Sequence, residues 1–277
     1  MSLVGAYLTV HTPRYCTYDA AFAGKLAHPD FRAVRDGMIE QGRHVAAMRP
    51  DVLVLNSCHL IATFPTVVDG TPRHRGVLTA QEAPELIHGV AYDFPGDYEL
   101  AAAIIDRGRA AGLPCVLAND VHYPLDYGTV MPLVCYLDRT QTVPVVPVSV
   151  CLAAGLQESF AWGRHIAEAV AALGRRAAFV ASGSVSHKLV RGPEKWPSAA
   201  DQELDHRLAR LLADGRYDEA WTWLPEYAAA TEPEMSGRHL AMLLGAMIAS
   251  GRPYAATVHA YGPSSGSGNY VVSLSAA

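Results

Sequence analysis

The stretch VLVLNSCH, residues 52–59, is a run of apolar residues that ends in polar ones. Short apolar runs rich in Val and Leu are typical of strands that are buried on both faces. Four further runs of this kind occur, at residues 3–10, 114–118, 143–150 and 177–181. Helical patterns lie between them, at residues 31–48, 98–111 and 160–173. This alternation predicts an α/β fold with a largely parallel central sheet and helices on both faces.

The remainder of the chain extends the same pattern. Three further helical patterns cover residues 199–214, 218–224 and 234–249. Two strand-like runs, residues 254–260 and 270–274, flank GPSSGSG at residues 262–268, which predicts a hairpin near the mouth of the site. No internal repeat, low-complexity segment or long linker divides the 277 residues. We therefore expect a single domain, residues 1–277, with a ligand-binding crevice at the carboxyl ends of the parallel strands.

The composition excludes several classes of protein. Hydrophobic residues make up 50% of the chain, which is enough to bury a large core and argues against disorder. The net charge is −5 and no run of Lys or Arg occurs, so we expect neither nucleic acid nor a membrane as a partner. The most apolar stretch, residues 143–156, is broken by Pro144 and Pro147 and is too short to span a bilayer.

Cysteine usage bears on the compartment. The chain has 5 cysteines, an odd number, and none of them forms a C-x-x-C pair. This favours reduced thiols over a disulfide framework. The first residues, MSLVG, lack the basic start and long apolar core of a signal peptide. We therefore expect a cytoplasmic protein.

Three of the 12 histidines stand out by their position. His11, His59 and His187 each follow a predicted strand within a few residues. Because the carboxyl ends of parallel strands open onto one crevice, these imidazoles are expected to lie close together there. The spacing alone leaves two interpretations open. They form a metal or acid–base site, or they are three histidines that separately form hydrogen bonds at strand ends.

A metal site also needs an anionic ligand. Cys58 adjoins His59, but neighbouring residues of a strand point to opposite faces, so both cannot easily bind one ion. Glu232 and Glu234 precede an apolar helical pattern. The alternative interpretation of Glu234 is structural, because Thr231 and Glu234 have the spacing of a capping box.

At these residues the chain resembles the class III extradiol ring-cleavage dioxygenases, the superfamily of the protocatechuate 4,5-dioxygenase catalytic subunit. The likeness is strongest to the homoprotocatechuate 2,3-dioxygenase and 2-aminophenol 1,6-dioxygenase branch and runs nearly end to end. The motifs that carry it are HTP at 11–13, NSCH at 56–59, DYGT at 126–129, SGSVSHK at 182–188, LPEYA at 224–228, MLLG at 242–245 and PSSGSG at 263–268.

The resemblance implies a non-heme Fe(II) held by two histidines and one glutamate. By position these ligands are His11, His59 and Glu234, with Glu232 as the fallback carboxylate. One departure from the family pattern is His239, which lies one place away from the spacing at which relatives carry a histidine after the glutamate.

The resemblance also implies two catalytic residues. His187 matches the acid–base histidine of the family, and histidine suits that role because its ordinary pKa is about 6.5. Tyr127 occupies a position where relatives have either histidine or tyrosine, and it is expected to form a hydrogen bond with the bound substrate. His122, near Tyr127, is more simply interpreted as a loop histidine.

The implied activity is extradiol (meta) ring cleavage, with both atoms of O2 inserted into a catechol-type substrate such as a homoprotocatechuate-like dihydroxyaromatic. The first alternative is a catalytic subunit of the 2-aminophenol 1,6-dioxygenase type, and the second is a zinc-dependent hydrolase, since the same donors bind zinc. A serine hydrolase is disfavoured, because Ser186 stands where a nucleophile elbow needs Gly.

The expected partners are a catechol or aminophenol, O2 and other protein subunits. The resemblance implies a homo-oligomer or an assembly with a homologous subunit. In the aminophenol branch such a subunit has lost metal ligands, whereas this chain keeps all three. Arg14, Arg238 and His239 are candidates to meet an anionic substrate tail, with a surface position as the alternative for each.

Overall fold

In the computed structural model, which describes residues 3–15, 28–136 and 143–276, eight strands form the central sheet. The strands of the chain are β1 (Leu3–Thr9), β2 (Val52–Ala62), β3 (Thr66–Asp69), β4 (Arg73–Leu78), β5 (Val90–Pro95), β6 (Cys115–Ala118), β7 (Val145–Cys151), β8 (Ala177–Ser182), β9 (Tyr254–Ser264) and β10 (Ser267–Ala276). The helices are α1 (Pro29–Ala47), α2 (Tyr98–Ala110), α3 (Tyr127–Tyr136), α4 (Leu156–Ala172), α5 (Ala199–Ala213), α6 (Tyr217–Thr231) and α7 (Arg238–Ser250). A short 3-10 helix, Glu234–Gly237, precedes α7.

The middle of the sheet is parallel. The strand order is β6-β3-β7-β2-β8-β1-β10-β9, and neighbours within β7-β2-β8-β1 are parallel. At one edge, β10 and β9 add antiparallel pairs, and at the other edge β3 is antiparallel to β7. β4 and β5 form a separate antiparallel pair. The expected α/β fold with a largely parallel sheet is confirmed.

Apolar side chains cover both faces of the sheet. On β2, Val52 and Val54 belong to a buried cluster that includes residues of α2 and α4 to α7. Leu53 and Leu55, which alternate with them, belong to a second cluster with residues of α1 and α3. Since successive strand residues point to opposite faces, a strand buried between two helical layers must be apolar at every position.

Helices α4 and α7 each place a glycine where the two helices cross. A Cβ atom added to Gly163 would lie 2.0 Å from the carbonyl oxygen of Met242, and one added to Gly245 would lie 2.1 Å from that of Phe160. Both glycines therefore allow a close backbone approach. This matters for the site because α7 directly follows the segment that contains Glu234.

The structure differs from the sequence-based expectation in several elements. The strands β3, β4 and β5 and the helix α3 were not expected. The helix expected at residues 234–249 is divided, because Met235 and Ser236 have positive φ angles and α7 begins after them. The turn expected at residues 262–268 is shorter, since β9 extends to Ser264 and β10 begins at Ser267.

Two further expectations concern thiols and membranes. Cys58, Cys115 and Cys151 are free thiols, while Cys16 and the side chain of Cys135 lie outside the described residues. Among the helices of the described segments, none combines the length and the apolar character needed to cross a membrane.

Candidate metal centre

Three neighbouring strands end at the edge of the sheet where the candidate site lies. Thr9 of β1 and Ser57 of β2 are both paired with Ser182 of β8. His11 follows β1 by two residues. His59 lies within β2, after Ser57, where the pairing with β7 shifts in register. Irregularities of this kind redirect a side chain. The end of β1 and the irregularity within β2 thus bring both histidines to the same edge.

His11, His59 and Glu234 form a compact cluster. The Nε2 atom of His11 lies 3.2 Å from Oε1 of Glu234, and Nε2 of His59 lies 3.1 Å from the same oxygen. One potential ligand atom from each residue lies within 4.8 Å of the others. The structure therefore brings together the three predicted metal ligands, which are far apart along the chain.

The hydrogen bonds of His11 make its inner nitrogen suitable for a metal. The hydroxyl of Ser182 donates to the carbonyl oxygen of Gly128 at 2.7 Å, so it accepts from Nδ1–H of His11 at 2.9 Å. This fixes the ring orientation and directs Nε2 at Oε1 of Glu234, at a hydrogen-bonding distance of 3.2 Å. One cation, either a proton or a metal ion, can bridge these two atoms. The donor set consequently fits a divalent metal ion.

Glu234 is held in its ionised form. It is buried, and its Oε2 accepts a hydrogen bond from the backbone N–H of Ser184 at 2.8 Å. Burial alone would raise the pKa of the Glu234 carboxyl, but the His11 and His59 imidazoles outweigh it and hold the pKa well below its usual range. In turn, burial would lower the pKa of His59, but Glu234 raises it above the ordinary value.

Tyr127 and His187, the two predicted catalytic residues, lie against this cluster. The Tyr127 hydroxyl is 2.6 Å from Nε2 of His59, and the two rings are 4.1 Å apart. His187 is half-buried, and its backbone pairs with that of Ser267 in the β9–β10 hairpin. Burial lowers the pKa of His187, and His11 and His59 add to this effect while Glu234 opposes it. The lowered pKa favours the neutral form of the His187 imidazole.

Several other candidates do not join the cluster. Glu232 is exposed at the end of α6, so it is not the ligand that the fallback interpretation required. The capping-box interpretation of Glu234 is wrong, because the Thr231 hydroxyl donates to the carbonyl of Tyr227 instead. His122 is exposed, as expected for a loop histidine.

Cys58 and His239 lie beneath the cluster. Both are fully buried, and a Cβ atom added to Gly183 would meet the Cys58 sulfur at 2.7 Å and the His239 ring at 2.9 Å. Burial lowers the pKa of His239 to about 4, so this imidazole is neutral and unsuited to an anionic substrate tail.

The two arginine candidates for an anionic substrate tail form other contacts. The Arg238 guanidinium donates hydrogen bonds to three backbone carbonyls. The guanidinium of Arg14 lies 6.0 Å from the ring centre of Phe31.

Asp205, which was not among the predicted site residues, supports the segment that contains His187. Its buried carboxylate accepts from the backbone N–H of Ser186 at 3.2 Å and from the Ser186 hydroxyl at 2.7 Å. The hydroxyls of Tyr227 and Tyr261 donate to it at 2.6 and 2.7 Å. One signal was available in the sequence: Asp205 has the helical spacing of the buried Leu208 and Leu212 on α5.

Comparison with known proteins agrees with this geometry. Residues 5–272 match the family described as "Catalytic LigB subunit of aromatic ring-opening dioxygenase". The chain is 27% identical over 217 residues to 3,4-dihydroxyphenylacetate 2,3-dioxygenase from Escherichia coli, across 76% of this chain and 78% of the relative. It is 29% identical over 245 residues to the 2-aminophenol 1,6-dioxygenase beta subunit from a Pseudomonas species, across 82% of this chain and 79% of the relative.

Two further matches cover almost the whole chain. The 2-aminophenol 1,6-dioxygenase alpha subunit from a Pseudomonas species is 27% identical over 288 residues, across 99% of this chain and 100% of the relative. The fold is similar to a crystal structure of an uncharacterized protein from Escherichia coli K12, with a TM-score of 0.62, 20% identity and coverage of 98% of this chain and 99% of that chain. The family match runs from within β1 to within β10, and the chain therefore belongs to the family of catalytic LigB subunits of aromatic ring-opening dioxygenases.

Proposed function

We propose that this chain is a non-heme Fe(II)-dependent extradiol dioxygenase that inserts both atoms of O2 into a catechol-type substrate, such as a homoprotocatechuate-like dihydroxyaromatic. The observation that carries the proposal is the convergence of His11, His59 and Glu234, whose facing atoms are 3.1 and 3.2 Å apart. Membership of a ring-opening dioxygenase family supports it.

The three side chains are proposed to hold the metal through Nε2 of each histidine and through the Glu234 carboxylate. Two neutral imidazoles and one carboxylate form the donor set of non-heme Fe(II) oxygenases, which leaves positions open for substrate and O2. A bound Fe(II) would supply a redox-active centre that holds both reactants next to each other. The protein's part is to align the ligands, which the contacts of Ser182 and Ser184 favour.

His187 is proposed to move the protons of the reaction. It is neutral, so a ring nitrogen can accept the proton of a substrate hydroxyl and return it when the ring opens. Its Nδ1 is buried and has no hydrogen-bond partner among the described residues. The Tyr127 hydroxyl already lies at the cluster, and we propose that it donates a hydrogen bond to an oxygen of the bound substrate.

A 2-aminophenol substrate is the second candidate, because two of the similar proteins carry that activity in their names. An ortho aminophenol offers an oxygen and a nitrogen in place of the two oxygens of a catechol, and both can bind a metal. Since those relatives are an alpha and a beta subunit, we also propose that this chain works as an oligomer, with copies of itself or with a homologous subunit. A cytoplasmic location remains a prediction from the cysteine usage.

The test is anaerobic loading with Fe(II), followed by addition of O2 with catechol, 3,4-dihydroxyphenylacetate or 2-aminophenol. Oxygen uptake and a yellow ring-opened product are expected with Fe(II) and not with Zn(II). Activity on an ester or amide with Zn(II) alone would support the zinc-dependent hydrolase instead. A chain that binds no metal and gains nothing from added Fe(II) would be a structural subunit.

A further inference from the structure

A cavity of about 290 Å³ adjoins the metal cluster, and His59 and Tyr127 form part of its wall. Apolar side chains line much of the remainder, among them Leu78, Tyr92 and Leu125. This is the composition of a small-molecule pocket, in which a few polar groups set the orientation of an apolar ligand. If an aromatic ring binds at the cluster, a substituent on that ring can extend into this cavity.

Two carboxylates line the cavity, and their surroundings differ. Asp126 accepts hydrogen bonds from the Ser57 hydroxyl at 2.5 Å and from the Thr129 hydroxyl at 2.6 Å, so it is engaged within the fold. Glu82 is 60% exposed, and its Oε1 lies 3.6 Å from Nδ1 of His59, the ring nitrogen that points away from Glu234. Glu82 therefore presents a negative charge at the entrance, beside the cluster.

No lysine or arginine of the described residues lines this cavity. Arg73 and Arg75 belong to the adjoining β4 strand, but both form ion pairs with Asp93. Arg238, a sequence-based candidate for an anionic tail, is occupied by backbone carbonyls. The described wall of the cavity thus combines apolar surface with negative charge and offers no cation to a carboxylate.

We propose that Glu82 is a specificity-determining residue that selects catechols whose ring substituent ends in a cation, such as an alkylammonium, over those that end in a carboxylate. The inference rests on the proposed dioxygenase function and narrows its substrate, because it keeps the ring diol of a homoprotocatechuate-like compound but disfavours a carboxylate at the end of the substituent. Opposite charges attract across the cavity, and like charges repel. Because Glu82 is partly exposed, solvent screens its charge. We therefore expect affinity to fall by about threefold to tenfold from a cationic to a neutral substituent, and again from a neutral to an anionic one.

The experiment compares three catechols that share the ring diol and carry their substituent at the same ring position. Dopamine is cationic, 4-ethylcatechol is neutral and 3,4-dihydroxyphenylacetate is anionic. Oxygen uptake gives kcat/KM for the Fe(II)-loaded protein, and anaerobic titration calorimetry gives Kd without turnover. Both measures are expected to rank dopamine first and 3,4-dihydroxyphenylacetate last, and added salt should narrow the difference.

Variants of one loop isolate the charge. Glu82→Gln should lower kcat/KM and affinity for dopamine by about threefold to tenfold and raise both for the anionic catechol by a similar factor. Both values for 4-ethylcatechol should stay within about twofold of the wild type. Glu82→Lys should reverse the order. Glu85→Gln removes a charge from an exposed residue of the same loop that does not line the cavity, and it should leave the order unchanged.

Two results would overturn the inference. One is a wild-type preference for the anion. The other is a Glu82→Gln variant in which kcat/KM and affinity fall equally for all three catechols, which would mean that Glu82 only orients His59. Failure of the proposed function looks different: none of the catechols is consumed, while calorimetry still ranks them by charge and Glu82→Gln still changes that ranking.

Discussion

Replacing Gly163 by alanine should disturb the packing of α4 against α7 and, through it, the metal cluster. The added Cβ would lie 2.0 Å from a backbone oxygen of α7, whereas real Cβ contacts essentially never fall below 3.0 Å. The helices must therefore separate by about 1 Å, and a gap of that size forfeits a quarter to a half of the dispersion energy of the atoms that face it. Overpacking costs about 1–3 kcal/mol, and the upper end applies because the clash is with backbone atoms.

Helix propensity opposes this loss but is smaller. Alanine in place of glycine within a helix returns about 1 kcal/mol, so we expect a net loss of about 2 kcal/mol in the free energy of unfolding. Urea denaturation measures this value, and the thermal midpoint should fall by roughly 4–8 °C. Gly155→Ser is the control, because a Cβ atom added at this N-cap of the same helix would meet no atom within 4 Å. It should leave the free energy of unfolding unchanged or raise it slightly.

The double variant provides a stricter test. Gly245→Ala clashes with the other helix across the same crossing, at 2.1 Å from a backbone oxygen. Once the helices have separated, the second substitution should cost little, so the double variant should lose less than the sum of the two singles. A Gly163→Ala protein within about 0.5 kcal/mol of the wild type would refute the reasoning.

Three further predictions concern the site. Metal at 100 times its Kd should stabilise the wild type by about 2.7 kcal/mol, and Glu234→Gln should abolish the corresponding shift in thermal midpoint, because a neutral amide replaces the anionic ligand; an unchanged shift would remove Glu234 from the ligand set. His187→Gln should keep that shift but lower the ring-cleavage rate by about 10²–10⁴-fold in oxygen uptake, and loss of the metal-induced shift would instead make His187 a ligand. Tyr127→Phe should also keep the shift and lower kcat/KM by about tenfold, through loss of a hydrogen bond to a charged oxygen; unchanged kinetics would exclude that role.

The elements that were predicted correctly are those with a strong local signal. A parallel strand buried between helices must be apolar throughout, and the expected run at residues 177–181 matches β8, Ala177–Ser182. The missed β4, Arg73–Leu78, pairs only with β5 and alternates buried with exposed positions, so its charged residues gave no apolar run. The missed α3 has Pro132 inside it, which disfavours a helix in any local interpretation.

The sequence by itself determined the α/β architecture and the positions of His11 and His59 just after apolar runs, because burial on both faces imposes such runs and polar residues follow where they stop. Between Glu234, which the resemblance favoured, and the fallback Glu232, only the tertiary structure decided which carboxylate completes the cluster. Glu232 is exposed, the alternative cap by Thr231 does not form, and the backbone N–H of Ser184 donates to Glu234. The physical reason is that a metal site requires atoms a few ångströms apart in space, and the side chains of Glu234 and His11 are brought that close only by strand register and by the packing of α7 against the sheet.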